Sequence, residues 1–144
     1  MALGYNGVKD YGTFKIDSTT AVAIGTDFNG EIGKVYTISG DGTVGYGTEG
    51  DPVFGVVERV EKEKNNSTTL LAVLKLTGLV EGVAITGTAA KQPSAGDGLA
   101  VDGAGALVKL TSYAVAENEA TVVPVKAIAF SVDTTAGTAV IQLF

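Results

Sequence analysis

Gly33-Lys34-Val35-Tyr36-Thr37-Ile38-Ser39-Gly40-Asp41-Gly42-Thr43-Val44 and Gly96-Asp97-Gly98-Leu99-Ala100-Val101-Asp102-Gly103-Ala104-Gly105-Ala106-Leu107 are two versions of one phrase. Gly33, Ile38, Gly40, Gly42 and Val44 fall on Gly96, Val101, Gly103, Gly105 and Leu107, each 63 residues on. A short apolar run, a turn rich in glycine and an apolar return is the pattern of a tight β-hairpin, because glycine supplies the positive φ that such turns need. Two further matches follow in the same order. Pro52-Val53-Phe54-Gly55-Val56-Val57 pairs with Pro124-Val125-Lys126-Ala127-Ile128-Ala129, and Ala72-Val73-Leu74-Lys75-Leu76 with Ala139-Val140-Ile141-Gln142-Leu143. The spacing drifts to 72 and 67 residues, so loops of unequal length separate the matched pieces. The unit is a hairpin, a proline-led strand and a closing strand, used twice.

Working outward, the rest of the chain reads as strand and turn. Ala21–Ile24 ends at Gly25, and Asn29-Gly30 is a turn signal. Lys34–Ile38, Thr43–Tyr46, Val53–Val60, Thr69–Leu76 and Leu79–Thr86 are apolar or alternating runs bounded by glycine or polar residues. Glu61 to Asn66 is expected as a charged loop, and Thr88 to Ser94 as a helical turn or an irregular crossing ended by Pro93. Many short strands at regular spacing predict an all-β fold: a compact glycine-rich β-barrel or sandwich built from a duplicated β unit. One copy is too small to cover both faces of its own sheet, whereas two can close on each other and shorten the exposed edges.

The chain has 144 residues, enough for one domain with a core of its own. It contains no cysteine and no histidine. That excludes thiolate metal sites and the Ser-His and Cys-His nucleophiles, and it removes the side chain that titrates near neutrality. With 16 acidic against 10 basic residues the net charge is −6, which disfavours phosphate backbones, and no basic patch offsets it. Neither a signal peptide nor a transmembrane run is recognisable, so neither nucleic acid nor membrane is an expected partner.

The motifs that suggest chemistry read more simply as turns. Gly40-Asp41-Gly42-Thr43-Val44-Gly45 satisfies the dinucleotide pattern literally, but Gly47, Gly50 and Pro52 leave no room for the helix that would hold a pyrophosphate. Asp41, Glu49, Asp51, Asp97 and Asp102 lack the order of a calcium loop and read as turn carboxylates. No catalytic residue, metal ligand or cofactor site is expected, and the protein is not expected to be an enzyme. The first residues stand apart. Tyr5, Val8, Tyr11, Phe14 and Ile16 are scattered among glycines without a lasting period, which predicts an extended N-terminal arm over residues 1–20, followed by a single β-barrel domain over 21–144. The alternative is that this segment packs back on its own barrel.

Four stretches carry a resemblance: Gly33-Lys34-Val35, Pro52–Val57, Gly96–Gly105 and Gly137–Leu143. They are similar to the capsid cement, or head-decoration, proteins of tailed bacteriophages, whose variable arm precedes a glycine-rich β-barrel with a G-D-x-x-x-V-D-G-x-G stretch. The resemblance covers roughly Ile24 to Phe144 and lies in glycine placement and spacing. It implies a structural virion protein on the outer surface of the expanded head, bound as a homotrimer and clamping neighbouring major capsid protein subunits. It also implies an arm that docks by strand addition, with Tyr5, Val8, Tyr11, Phe14 and Ile16 as anchors, so that deletion through Ile16 should abolish shell binding and spare the barrel. The chain departs from lambda-type decoration proteins in lacking a proline-rich arm. The competing readings are a phage tail or baseplate β-domain and a carbohydrate-binding or adhesin module; the absence of tryptophan weighs against the latter.

Overall fold

A computed structural model describes residues 10–20, 29–63, 66–110 and 125–144. The described chain is mostly β and holds no α-helix, only single 3₁₀ turns at Asn29–Glu31 and Ala89–Lys91. Among the described residues ten strands form: β1 (Tyr11–Ile16), β2 (Val35–Gly40), β3 (Thr43–Gly45), β4 (Gly55–Glu63), β5 (Asn66–Lys75), β6 (Gly78–Ala84), β7 (Leu99–Val101), β8 (Leu107–Lys109), β9 (Ala127–Asp133) and β10 (Thr138–Leu143). The first five close into a ring in the order β1-β3-β2-β4-β5, sealed where β1 pairs antiparallel with β5. This is not the regular barrel that the strand pattern suggests. β1 runs parallel to β3 while every other neighbour is antiparallel, and the remaining strands form two small sheets, β6-β10-β9 and β7-β8.

The sequence repeat reappears as hydrogen-bond register. The Ile38–Val44 pair of the first hairpin has its counterpart in Val101–Leu107, and the Val57–Leu74 pair of β4 and β5 in Ala129–Ile141. Gly33 N–H donates to the Val57 carbonyl at 3.0 Å, and Gly96 N–H to the Ala129 carbonyl at 2.8 Å. Val57 N–H to Lys34 O and Ala129 N–H to Asp97 O are both 2.9 Å. The correspondence also reaches beyond the matched sequence. β1 pairs with β5 as β6 pairs with β10, and Ile16 lies parallel to Val44 as Ile85 does to Leu107. Two links that are ladders in the first set shrink to single bridges in the second, Gly98–Ile128 and Ile85–Leu107.

Alternation along the strands feeds two cores. Tyr36, Val44, Val57, Val60, Leu70, Ala72 and Leu74 fill the ring, with Phe14, Ile16 and Phe54 packed against them. Val35, Val53 and Val56 point the other way and join Val83, Leu99, Val101, Leu107, Ile141 and Leu143 in the second core. Repeat one therefore contributes to both. A β-bulge between Val57 and Arg59 resets the phase of β4, which is why Val57 and Val60 face the same interior although three residues apart.

Of the expected loop from Glu61 to Asn66, the described residues are ladder instead: Glu61 and Lys62 pair with Leu71 and Leu70, and Glu63 with Asn66. Charge does not break a strand whose solvent face is free, so the hairpin runs out past the core. Ala89–Lys91 makes the short helical turn that precedes Pro93. Ala21–Ile24 lies outside the described residues.

Candidate docking surface

The expected anchors divide. Tyr5 and Val8 lie outside the described residues. Tyr11, Phe14 and Ile16 sit on β1, which is hydrogen-bonded on both sides within this chain's own sheet rather than extended away from it. Phe14 turns inward and meets Phe54 edge-on, ring centroids 5.1 Å apart; Ile16 packs on the same core. Tyr11 faces solvent at 47% exposure, with the Lys75 ammonium 5.1 Å above its ring. Asp10 ties the start of the strand down. Its carbonyl accepts from Leu76 N–H at 2.7 Å and its carboxylate from the Thr77 hydroxyl at 2.9 Å. Of the anchors on β1, only Tyr11 is exposed.

Beside this entry point lies an apolar groove of about 420 Å³ between Ile38, Phe54, Leu76 and Phe144, with Lys126 on its rim. Ile38 is 60% exposed and Phe144 61%. Exposed large apolar side chains gathered at one groove mark a surface that prefers a covered state.

A polar cluster that matches no sequence motif gathers on Glu31. Glu31, buried at 5% exposure, accepts from Tyr36 Oη at 2.8 Å and Tyr46 Oη at 2.7 Å on Oε1, and from Lys34 Nζ at 2.7 Å on Oε2. Lys34 Nζ also donates to Tyr46 Oη at 2.9 Å. The repeat counterparts of Glu31, Lys34, Tyr36 and Tyr46 are Ser94, Asp97, Leu99 and Lys109, so repeat two has no such cluster. Burial pushes the Tyr36 phenol far up, and its hydrogen bond to Glu31 pushes it further. Tyr46 rises for the same reasons, with Lys34 pulling against them. Burial opposes charge on Lys34, but the Glu31 carboxylate and the Tyr46 hydroxyl outweigh it and the ammonium is held above its ordinary value. Three donors on one carboxylate tie the Asn29–Glu31 turn to β2 and to Tyr46 just past β3. Sequence reading assigns Tyr36 no face; the signal that could have found Glu31 is that a buried tyrosine hydroxyl needs an acceptor.

The turn carboxylates cap backbone, as turn residues do. Asp51 accepts from Thr48 N–H, Asp97 from Ser94 N–H, and Asp102 from the amides of Ala104 and Ala106. Glu49 pairs with Lys91 at 2.9 Å. Asp17 takes the amides of Thr19 and Thr20; burial works against its charge, but the hydroxyls of Ser39, Thr19 and Thr20 prevail and its carboxyl is held below the ordinary range. Among the described residues, no group of three or more carboxylates stands where it would hold a metal ion. Compared with protein-family models, with curated proteins and with solved structures, the chain matches none.

Proposed function

We propose that this chain is a head-decoration protein of a tailed bacteriophage. It binds the outer surface of the expanded capsid as a homotrimer and clamps neighbouring major capsid subunits against internal pressure. The observation that carries the reading is the repeated glycine hairpin, Gly33–Val44 and Gly96–Leu107, followed each time by a proline-led strand and a closing strand. That order and spacing is what resembles the decoration family. The compact duplicated β-domain belongs to the same reading. A rigid two-core β body with exposed apolar side chains beside its N-terminal entry suits a passive clip, and many copies on a symmetric lattice make weak single contacts effective.

In this reading the docking segment is the chain before Asp10, carrying Tyr5 and Val8, with exposed Tyr11 at its root. Main-chain hydrogen bonds to an edge of the shell protein give affinity and alternate side chains give specificity. Phe14 and Ile16 serve the ring instead. Two truncations test this against purified expanded heads in a sedimentation assay. Removing residues 1–9 should abolish co-sedimentation and leave the thermal melt unchanged. Removing residues 1–16 also deletes β1, opens the ring and abolishes the cooperative melt. Shell binding that survives loss of residues 1–9 would overturn the arm; a full-length chain that never binds expanded heads would overturn the decoration reading itself.

A further inference from the structure

One strand edge of repeat one is left open by a crossing that closes its counterpart in repeat two. On the side of β2 away from β3, the pairing with β4 ends at Tyr36–Gly55, and the Tyr36 carbonyl accepts from Phe54 N–H at 2.8 Å. Before Phe54 the chain belongs to β7 instead. Pro52 bridges antiparallel to Ala100, Val101 N–H donates to the Asp51 carbonyl at 3.0 Å, and the Val101 carbonyl accepts from Gly50 N–H at 2.9 Å. Val101 is fully buried. Its repeat counterpart is Ile38, which is 60% exposed. Backbone polar groups alternate sides along a strand, so the N–H and C=O of Ile38 face the way those of Tyr36 do, away from β3. Among the described residues no bridge or backbone hydrogen bond meets them there.

This open edge runs between two unlike surfaces. Thr37 borders the apolar groove of Phe54, Leu76 and Phe144, and Ser39 borders a polar cleft of about 460 Å³ that holds Asp17 and Asp51. No lysine or arginine is among the described residues that line the cleft. We propose that Thr37–Ser39 accepts an extended segment of another protein by antiparallel strand addition, with an apolar residue over the groove and, N-terminal to it, a basic residue over Asp17 and Asp51. The direction follows from β2, which runs from groove to cleft, so an antiparallel guest enters at the cleft. Gly50–Pro52 on Ala100–Val101 shows the fold seating such a guest at the matched edge, proline included. Main-chain bonds to Ile38 supply affinity, and the two surfaces supply specificity. A second copy of β2 would lay Ser39-Gly40-Asp41 over the apolar groove and bring no base to the cleft, so the guest is a different chain. The acceptor edge is a property of β2 and does not rest on the decoration reading.

NMR titration of the full chain with acetyl-Lys-Gly-Val-Pro-Val-amide, a peptide that keeps the glycine and proline spacing of Gly50–Val53, tests it. The peptide should shift the Ile38 and Ser39 amides with a Kd of about 1 mM, and at about 10 mM it should slow Ile38 amide exchange about tenfold while Val101 is unchanged. Glutamate in place of the peptide's lysine should weaken binding at least about fivefold, and Asp51→Asn should weaken the lysine peptide without weakening the glutamate one. Ile38→Pro removes the outward N–H and should abolish the shifts. If that variant does not fold, the two peptides on the unaltered chain decide the matter. An Ile38 amide as slow as Val101 in the free chain, no shift at Ile38 by about 10 mM, or equal affinity for the two peptides would overturn the proposal. So would Ile38 protection in the free chain that falls on dilution, which gives the edge to a second copy.

Discussion

The two repeats share a hydrogen-bond register and differ in what fills it. Repeat one closes into a ring around large side chains, Tyr36, Leu70 and Leu74, and keeps a buried carboxylate cluster at Glu31. Repeat two packs small ones, Ala127, Ala129 and Ala139, around Leu99, Leu107 and Ile141 and splits into two sheets joined by single bridges. Where Tyr36 needs a partner for its hydroxyl, Leu99 needs none. Register is thus carried by the glycines and the strand pairing, while the size and polarity of the interior vary from one repeat to the other.

The comparison is most severely tested at the cores. Leu74→Ala and Ile141→Ala, at matched positions, should each cost about 3 kcal/mol, within the range for truncating a buried aliphatic side chain. Because Val35, Val53 and Val56 of repeat one belong to the second core, both variants should lower a single unfolding transition. Two separated transitions in calorimetry would show that the repeats are independent bodies.

A smaller, one-sided effect is expected at the polar cluster. Glu31→Ala leaves the Tyr36 hydroxyl buried without its acceptor and should cost about 2 kcal/mol, whereas Ser94→Ala at the matched place should stay within about 0.5 kcal/mol. The same cluster sets an alkaline limit. Lys34, Tyr36 and Tyr46 all hold their protons more tightly folded than unfolded, so their contribution is full below their unfolded values and is lost as pH rises through the folded ones. The melting temperature should fall above about pH 10, and less steeply in Glu31→Ala. Equal slopes for variant and parent would remove the cluster from the account.

The smallest contrast lies in matched glycines. Gly33 and Gly96 have φ of 87° and 92°, so an added Cβ strains both alike. At Gly33 it would also meet the Gly82 carbonyl oxygen at 2.6 Å, while at Gly96 nothing lies within 4 Å. Gly33→Ala should therefore be the more destabilising by about 1 kcal/mol in denaturant melts, over a shared cost of about 1–2 kcal/mol for the left-handed backbone. Equal losses would mean that the Gly33–Gly82 approach relaxes freely.

The hairpins, the proline-led strands and the closing strands were legible because glycine and apolar residues recur there without insertion. The first strand of each unit was not. β6 carries a bulge against β10 where β1 has none against β5, so no constant spacing aligns Tyr11–Ile16 with Gly78–Ala84, and Gly12 hides the alternation of Phe14 and Ile16. That is why a strand of the ring reads as part of an arm. The Glu31 cluster was invisible for another reason: its four members span Glu31 to Tyr46 without a motif, and only the turn at Asn29–Glu31 brings the carboxylate under Tyr36.

The central claim is that the chain coats a phage head, and quantitative mass spectrometry of purified virus particles tests it most directly. The account predicts one copy per major capsid subunit, or a simple fraction of that ratio. A copy number in the range of tail components, or no copies at all, would contradict it.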